Sequence, residues 1–232
     1  MLSALLLFTA VAAPAQPPLF LQHPTVNATS VCFAFAGDLW DVPRSGGDAR
    51  RLTSSPGQES SPYYSPDGKS IAFSAQYEGN TDVYVMPAEG GIPKRLTFNP
   101  ASDTVEGWTP DGKSVLFAST MEGLPFVPRL FTVSVTGGQA VGLPFPTGTM
   151  GSFSPDGKQI AYVPYLQFEK AWKRYRGGEA YPVWVLNLAD SSWKEVPRKG
   201  WNDKDPLWIG NRLYYLSDQD GKFDLWASST DG

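Results

Sequence analysis

A five-residue turn that returns at a regular spacing constrains the fold of this chain more than any other feature. It reads SPDGK at residues 65–69 and 154–158, and TPDGK at 109–113. Proline presets φ for a tight turn, aspartate tolerates the next position, and glycine supplies the positive φ with which the chain folds back as a hairpin. The turn residues that define the repeat are Asp67, Gly68, Asp111, Gly112, Asp156 and Gly157. Equivalent aspartates lie 44 and 45 residues apart, close to the roughly 40 to 45 residues of one propeller blade.

A short strand pattern recurs with each turn. Its copies are Asp38-Leu39-Trp40, Asp82-Val83-Tyr84, Arg129-Leu130-Phe131, Pro182-Val183-Trp184 and Asp224-Leu225-Trp226. Because turn, strand and second turn return in the same order, each unit is predicted to be an antiparallel sheet of about four strands. The sequence therefore predicts an all-β fold, a β-propeller of four-stranded antiparallel blades, with about five blades present of an expected six. The predicted blades span residues 19–53, 61–97, 105–143, 150–197 and 206–232, and the last is incomplete.

The first 15 residues have the character of a secretory signal peptide. They contain no charged side chain, are rich in apolar residues, and end in the small-x-small sequence Ala13-Pro14-Ala15. The segment lacks a basic n-region, so a different start codon and a buried N-terminal helix stay open as alternatives. We expect residues 16–232 to be exported to the periplasm or the extracellular space, or to stay cytoplasmic if Met1 is not the true start. No other stretch is apolar enough for a transmembrane helix, so no membrane span is expected after cleavage.

Composition agrees with an exported all-β domain and argues against several function classes. The 21 prolines and 23 glycines fall at repeat-spaced turns, and a net charge of -4 gives no reason to expect nucleic acid as a partner. The single cysteine, Cys32, lies in an apolar run and can form neither a disulfide within the chain nor a thiolate metal site. No cofactor is implied.

The sequence contains no recognisable set of catalytic residues. His23 is the only histidine, and the sequence announces no triad partners for it, so we interpret it as a core or edge residue. The chain has no Gly-x-Ser-x-Gly elbow, Walker loop, His-Glu-x-x-His motif or Cys/His cluster. The turn aspartates lie about one blade apart, and no carboxylate pair can be assigned to a common centre.

An insertion in the fourth blade is the candidate binding surface. Residues 168–178 interleave basic and aromatic side chains, an arrangement suited to a carboxylate or a peptide backbone. The alternative is a solvated loop whose aromatic side chains pin it to the blade. Lys173, Arg174 and Arg176 are predicted to face the mouth of the central channel. The candidate peptide- or partner-binding residues are Lys170, Trp172, Lys173, Arg174, Tyr175 and Arg176.

Three stretches add a family resemblance to this pattern. They are Leu21-Gln22-His23-Pro24, Asp38-Leu39-Trp40, and the WKRYRGG sequence of residues 172–178 that leads into Val183-Trp184. The Pro-Asp-Gly-Lys turns also look like the repeat of TolB-type and tricorn-type propellers. Together these features make essentially all of the mature chain similar to the N-terminal six-bladed propeller of the tricorn protease family.

The resemblance implies a role rather than a site. Members of that family are large serine proteases that degrade peptides, with a second propeller, a PDZ domain and the catalytic domains C-terminal to this region. The catalytic Ser, His and Glu would then lie outside this chain, and the first propeller would wall one side of the route to the active chamber. The paired-arginine anchor that members can carry between the second and third blades has no counterpart in residues 98–103, which contain no arginine.

The resemblance also sets the expected partners, while two other interpretations stay open. The partners are peptides or proteins and the C-terminal protease domains of the same polypeptide; self-association is left open. A stand-alone TolB-type periplasmic binding propeller would end soon after one more blade. A propeller that is itself catalytic, as in some glycosidases, would need a carboxylate pair that converges at the central channel.

Overall fold

The chain folds as a succession of short antiparallel strands. The computed structural model describes residues 20–122, 126–165, 177–178 and 180–229. The strands within these ranges are β1 (Gln22–Val26), β2 (Ser30–Phe35), β3 (Asp38–Pro43), β4 (Arg50–Arg51), β5 (Glu59–Tyr64), β6 (Ser70–Ala75), β7 (Asp82–Pro87), β8 (Lys94–Arg95), β9 (Asp103–Trp108), β10 (Ser114–Ser119), β11 (Arg129–Ser134), β12 (Val141–Gly142), β13 (Thr149–Phe153), β14 (Gln159–Val163), β15 (Trp184–Asn187), β16 (Trp193–Glu195), β17 (Asp203–Ile209), β18 (Arg212–Ser217) and β19 (Asp224–Ser229). The described part of the chain contains no helix that is long and apolar enough to cross a membrane. The predicted signal peptide, residues 1–15, lies outside the described ranges.

The strands form five antiparallel sheets that follow one another along the chain. Four sheets have four strands each, in the orders β1-β2-β3-β4, β5-β6-β7-β8, β9-β10-β11-β12 and β13-β14-β15-β16. The fifth sheet has three described strands, β17-β18-β19. The predicted all-β propeller is therefore confirmed with five antiparallel blades, of which four have four strands and the fifth has three described strands; the expected sixth blade is not among the described strands.

The repeated Pro-Asp-Gly turn closes the hairpin between the first and second strands of blades 2, 3 and 4. In blade 2 the amide of Gly68 donates to the carbonyl of Ser65 at 2.8 Å, and Gly68 adopts a φ of 70°. The Asp67 carboxylate accepts hydrogen bonds from the Ser65 hydroxyl (2.7 Å) and from a backbone amide two residues on (3.1 Å). The hydrogen bond from the Ser65 hydroxyl is the main cause of the lowered pKa of Asp67. The same contacts recur at residues 109–113 and 154–158.

The apolar core lies between the blades, as four layers that each join two neighbouring sheets. Leu39 and Phe73 belong to the layer between blades 1 and 2. In the next layer Phe117 stacks on Phe131, with ring centroids 5.7 Å apart. Cys32 is fully buried in the first layer, and burial is the main cause that raises the pKa of its thiol to about 12. It is therefore an unreactive core residue.

A polar contact repeats where the third strands of blades 1 and 2 begin. Arg95 pairs with Asp82 at 2.8 Å, and the hydroxyl of Thr97 accepts a hydrogen bond from the amide of Val83 at 2.9 Å. The residues that repeat these contacts in blade 1 are Arg51, Asp38, Thr53 and Leu39. The contacts satisfy polar groups that would otherwise be buried without partners at the junction with the next blade.

One face of blade 5 is apolar and exposed. Leu207 and Ile209 on β17 and Leu225 on β19 expose 51, 57 and 67% of their surface. Leu207 pairs with Tyr214 and Leu225 pairs with Leu216 on the shared neighbour β18. Tyr214 and Leu216 are two residues apart, so their side chains, and those of their partners Leu207 and Leu225, lie on the same face of the sheet. The opposite face of the blade packs against blade 4. Contiguous exposed apolar surface of this kind is typical of interaction surfaces.

Candidate functional site

The binding patch predicted from the sequence is not among the residues that the structure describes. All six of its residues, Lys170, Trp172, Lys173, Arg174, Tyr175 and Arg176, fall in the undescribed range 166–176. Their placement at the mouth of the channel therefore stays a prediction. The described residues direct attention to the central channel itself.

The central channel is formed by the first strand of each blade. Strands β1, β5, β9, β13 and β17 follow one another around it, and a cavity of about 520 Å³ lies between them. Each of these strands carries a β-bulge or a comparable irregularity. Four of them hold a residue in the left-handed conformation there, with φ between 49° and 54°: His23, Ser61, Met150 and Asp205. A bulge breaks the alternation of a strand and re-aims its side chains.

Glu106 is the unpaired residue of the bulge in β9, and it lines this cavity. Its Oε1 accepts a hydrogen bond from the Thr149 hydroxyl of blade 4 at 2.9 Å, and the backbone of Met150 also hydrogen-bonds to the carboxylate. Burial is the main cause that raises the pKa of Glu106 to about 7; the two hydrogen bonds oppose the shift and the charge of Asp205 adds to it. The carboxyl therefore changes its charge near neutral pH.

Asp205 and Tyr63 reach the same cavity from blades 5 and 2. Asp205 is exposed, and one of its oxygens, Oδ2, lies 3.5 Å from the ammonium of Lys204. Burial, followed by the charges of Glu106 and Asp205, raises the pKa of the Tyr63 phenol, which therefore stays protonated at neutral pH. Its hydroxyl has no hydrogen-bond partner among the described residues.

The structure thus brings together two carboxylates that the sequence analysis did not connect. Glu106 in blade 3 and Asp205 in blade 5 are close enough for the charge of one to raise the pKa of the other. A signal was present in the sequence, because Glu106 and Asp205 occupy the same part of the repeat as His23. His23 itself is exposed at the bulge of β1. The described residues contain no group of three or more His, Cys, Asp or Glu that could hold a metal ion.

Two wider grooves lie at the end of the blades that carries the Pro-Asp-Gly turns. Their volumes are about 850 Å³ between blades 4 and 5 and about 660 Å³ between blades 2 and 3. The acidic residues in their walls are the turn aspartates Asp156, Asp67 and Asp111, which are hydrogen-bonded within their own turns. The grooves are spaces between neighbouring turns and bring no further acidic side chains together.

Glu106→Gln is expected to make the stability of the domain less dependent on pH. A carboxyl whose pKa rises from 4.5 when unfolded to about 7 when folded stabilises the fold below pH 4.5 and loses that contribution as pH rises through 7. Glutamine resembles the protonated acid at every pH. We therefore expect the variant to gain stability relative to the wild type between pH 5 and pH 8, by up to about 3 kcal/mol.

Thermal unfolding of the two proteins at a series of pH values measures this effect. The difference between them isolates Glu106, because every other titrating group is common to both. A difference in free energy of unfolding that stays constant from pH 5 to pH 8 would contradict the assignment of a neutral-range pKa to this residue.

Comparison with known proteins places the whole described fold in one family. Residues 18–232 match the family model described as the tricorn protease N-terminal β-propeller domain. Tricorn protease homolog 1 of Streptomyces coelicolor is 34% identical over 226 residues, covering 96% of this chain and 21% of that protein. The tricorn protease of Thermoplasma acidophilum is 26% identical over 226 residues, covering 93% of this chain and 21% of that protein. The chain thus spans about a fifth of the length of these curated relatives.

Solved structures show the same fold. The crystal structure of the tricorn protease superposes with a TM-score of 0.76 and 24% identity, covering 93% of this chain and 22% of the other. A protein from Agrobacterium tumefaciens assigned as a TolB superposes with a TM-score of 0.75 and 21% identity, covering 94% of this chain and 79% of the other.

Proposed function

The chain belongs to the family of tricorn protease N-terminal β-propeller domains, and from this membership we propose that it is the non-catalytic propeller part of a larger tricorn-like serine peptidase. In this role the channel lines the route by which peptides reach a catalytic domain outside this chain. The observation that carries the proposal is the family match over residues 18–232, which encloses the entire channel.

The lining of the channel differs from the active site of a serine or cysteine peptidase. The described residues that line the cavity include neither histidine nor cysteine. A serine or cysteine peptidase needs a nucleophile beside a base that takes its proton. The described lining therefore lacks the histidine base of such a peptidase, and we place that chemistry in another part of the polypeptide.

Obstruction of the channel in the full-length protein tests the proposal. Met150 lines the cavity, so a bulky maleimide attached to a Met150→Cys variant is expected to remove most hydrolysis of long unfolded peptides, which have to pass it. The native Cys32 is fully buried and its thiol pKa is raised, so the label reacts with the introduced thiol.

The matched control carries the same label at an exposed position, in an Asp48→Cys variant. It is expected to hydrolyse peptides at the rate of the unlabelled protein. Undiminished turnover after labelling at position 150, or a full-length protein without peptidase activity, would count against the proposal.

We propose in addition that a sixth blade completes the ring. The exposed apolar face of blade 5 supports this, as does Val26 on the first strand of blade 1, which is 56% exposed. A closed ring packs every blade between two neighbours and leaves only short, protected edges. A blade inserted between blades 5 and 1 would bury both surfaces.

The second candidate function is a free-standing TolB-type binding propeller. It is favoured by the superposition on the TolB-assigned protein, of which this chain covers 79%. The length of the native polypeptide separates the two candidates. A product several times longer than this chain supports the peptidase, and a product only one blade longer supports the TolB-type protein.

Finally, we propose that the protein is exported and that residues 1–15 are removed. The apolar, uncharged character of this segment and its Ala13-Pro14-Ala15 end support the proposal. N-terminal sequencing of the protein from its native host is expected to start at Gln16, and a protein that retains Met1 would rule this out.

A further inference from the structure

The wall of the central channel combines two kinds of group that attract a cation. Its acidic groups are the carboxylates of Glu106 and Asp205, and its aromatic groups include Tyr63, Trp108 and Trp208. Aromatic faces attract ammonium groups through the ring quadrupole, and carboxylates attract them by charge and hydrogen bonding. The described lining contains no Lys, Arg or His, so no cation of its own faces these groups from within the cavity.

The Glu106 carboxylate is held in place from outside the cavity. The Thr149 hydroxyl donates to Oε1 of Glu106, which fixes this carboxylate between blades 3 and 4. The Trp108 indole donates to the carbonyl of Tyr63 at 2.9 Å and so links the walls of blades 3 and 2. A ligand in the channel therefore meets a preformed Glu106 carboxylate, whose ordering costs little on binding.

The remaining polar contacts leave room for a further cation. Lys204 contacts Asp205 from the strand itself at 3.5 Å, and its ammonium also lies 5.0 Å from the centroid of the Phe223 ring. This single, solvent-accessible ion pair is weak. Glu106 has no basic partner among the described residues.

We propose that the central channel binds alkylammonium groups of peptides, through Glu106 and Asp205 and the aromatic side chains that line the same cavity. The inference rests on the proposed function for its peptide context, and it adds a substrate class to that function. Two sources carry this chemistry, the free amino terminus of a peptide and the side chain of lysine. A peptide carboxylate is repelled by the same wall.

Binding of defined peptides to the full-length protein tests this site. Three fluorescent peptides of one neutral sequence are compared by anisotropy: one with a free amino terminus, one acetylated, and one acetylated with a single internal lysine. A serine-directed fluorophosphonate is added beforehand, so that no peptide is cleaved. We expect both amine-bearing peptides, or the one whose amine reaches the wall, to bind at least about tenfold more tightly than the neutral peptide.

The variants identify the groups responsible. Glu106→Gln with Asp205→Asn is expected to remove the preference for the amine and leave weak binding of the neutral peptide unchanged. Glu89→Gln with Asp48→Asn makes the same chemical changes at exposed positions and is expected to keep the preference. Circular dichroism of each variant verifies that the propeller is folded.

The pH dependence gives an independent readout. The groups that face Glu106 are Asp205, Tyr63 and the Thr149 hydroxyl, with Lys204 beside Asp205. Because Glu106 gains a proton as pH falls through about 7, the preference for the lysine peptide, whose amine stays protonated throughout, should weaken between pH 8 and pH 6. Equal binding of amine-bearing and acetylated peptides, or an unchanged preference in the Glu106/Asp205 double variant, would overturn the proposal.

The outcome is separable from that of the proposed function. If the label at position 150 blocks turnover while the double variant keeps its amine preference, the proposed peptide route is supported and the proposed ammonium site is contradicted. If the double variant loses the preference while the label has no effect on turnover, the site stands and the route fails.

Discussion

Phe117→Ala is expected to destabilise the propeller by about 3 to 5 kcal/mol, the usual cost of truncating a buried phenylalanine. The Phe117 ring is fully buried on β10, in the layer that joins blades 2 and 3, and it stacks on Phe131 at 5.7 Å. Its removal takes away apolar burial, an aromatic pair and the filling of a space that both blades line. Since a propeller holds its blades together through such layers, the effect should reach both neighbouring sheets.

Hydrogen exchange measured by mass spectrometry reports this loss within a multidomain protein. Peptides from β6, β7, β10 and β11 are expected to lose roughly 100-fold or more of their protection, because each 1.4 kcal/mol is a factor of about ten. The matched control is Phe98→Ala, since Phe98 is 73% exposed and touches the Arg95 guanidinium at 4.7 Å. Its expected cost is below about 1 kcal/mol. Equal losses in the two variants would contradict the assignment of the core to the layers between blades.

The sequence was informative about the fold where structure depends on neighbours in the chain. The conformation of the Pro-Asp-Gly turn is determined by its own residues, because Gly68 adopts a positive φ and Asp67 accepts its hydrogen bonds from within the turn. The recurring strand pattern likewise places a buried apolar residue in the third strand of blades 1, 2 and 3, namely Leu39, Val83 and Leu130. Local chemistry of this kind was enough to count five blades and their strand order.

The predicted starts of two blades differ from the observed ones, for a physical reason. Blade 2 was predicted to begin at residue 61 and blade 5 at residue 206, whereas β5 begins at Glu59 and β17 at Asp203. These first residues are charged, yet they are 3% and 0% exposed. Glu59 is buried because Thr53, Tyr77 and the amide of Leu39 donate hydrogen bonds to it from the blade junction. A pattern of apolar residues does not reveal burial that depends on such partners.

The channel carboxylates escaped the sequence analysis for a related reason. Glu106 is an unpaired bulge residue, so the strict alternation of a strand gives the wrong orientation for it. Asp205 lies two blades further along the chain, and only the arrangement of blades around an axis brings the two together. Their residue types and positions in the repeat can be read from the sequence, but their spatial proximity cannot. The site is thus a product of the assembled ring rather than of any single blade.

Leu207→Asp combined with Leu225→Asp is expected to destabilise the full-length protein by about 4 kcal/mol or more if a sixth blade covers blade 5. Both leucines expose more than half of their surface in this chain, at 51 and 67%. Under a covering blade each would instead bury an apolar side chain worth about 1.5 to 3 kcal/mol, and a buried carboxylate without a partner adds a further penalty. The same substitutions on a face that stays in water should cost almost nothing.

Hydrogen exchange in blade 5 distinguishes these outcomes, because a lost neighbour exposes β18 and β19 first. The control is Val141→Asp combined with Ile92→Asp, two substitutions at apolar positions that are 64 and 93% exposed on blades 3 and 2. Faster exchange confined to the blade 5 variant supports ring closure by a further blade. Unchanged exchange in both variants would mean that this face stays in water, and would count against a sixth blade that covers it.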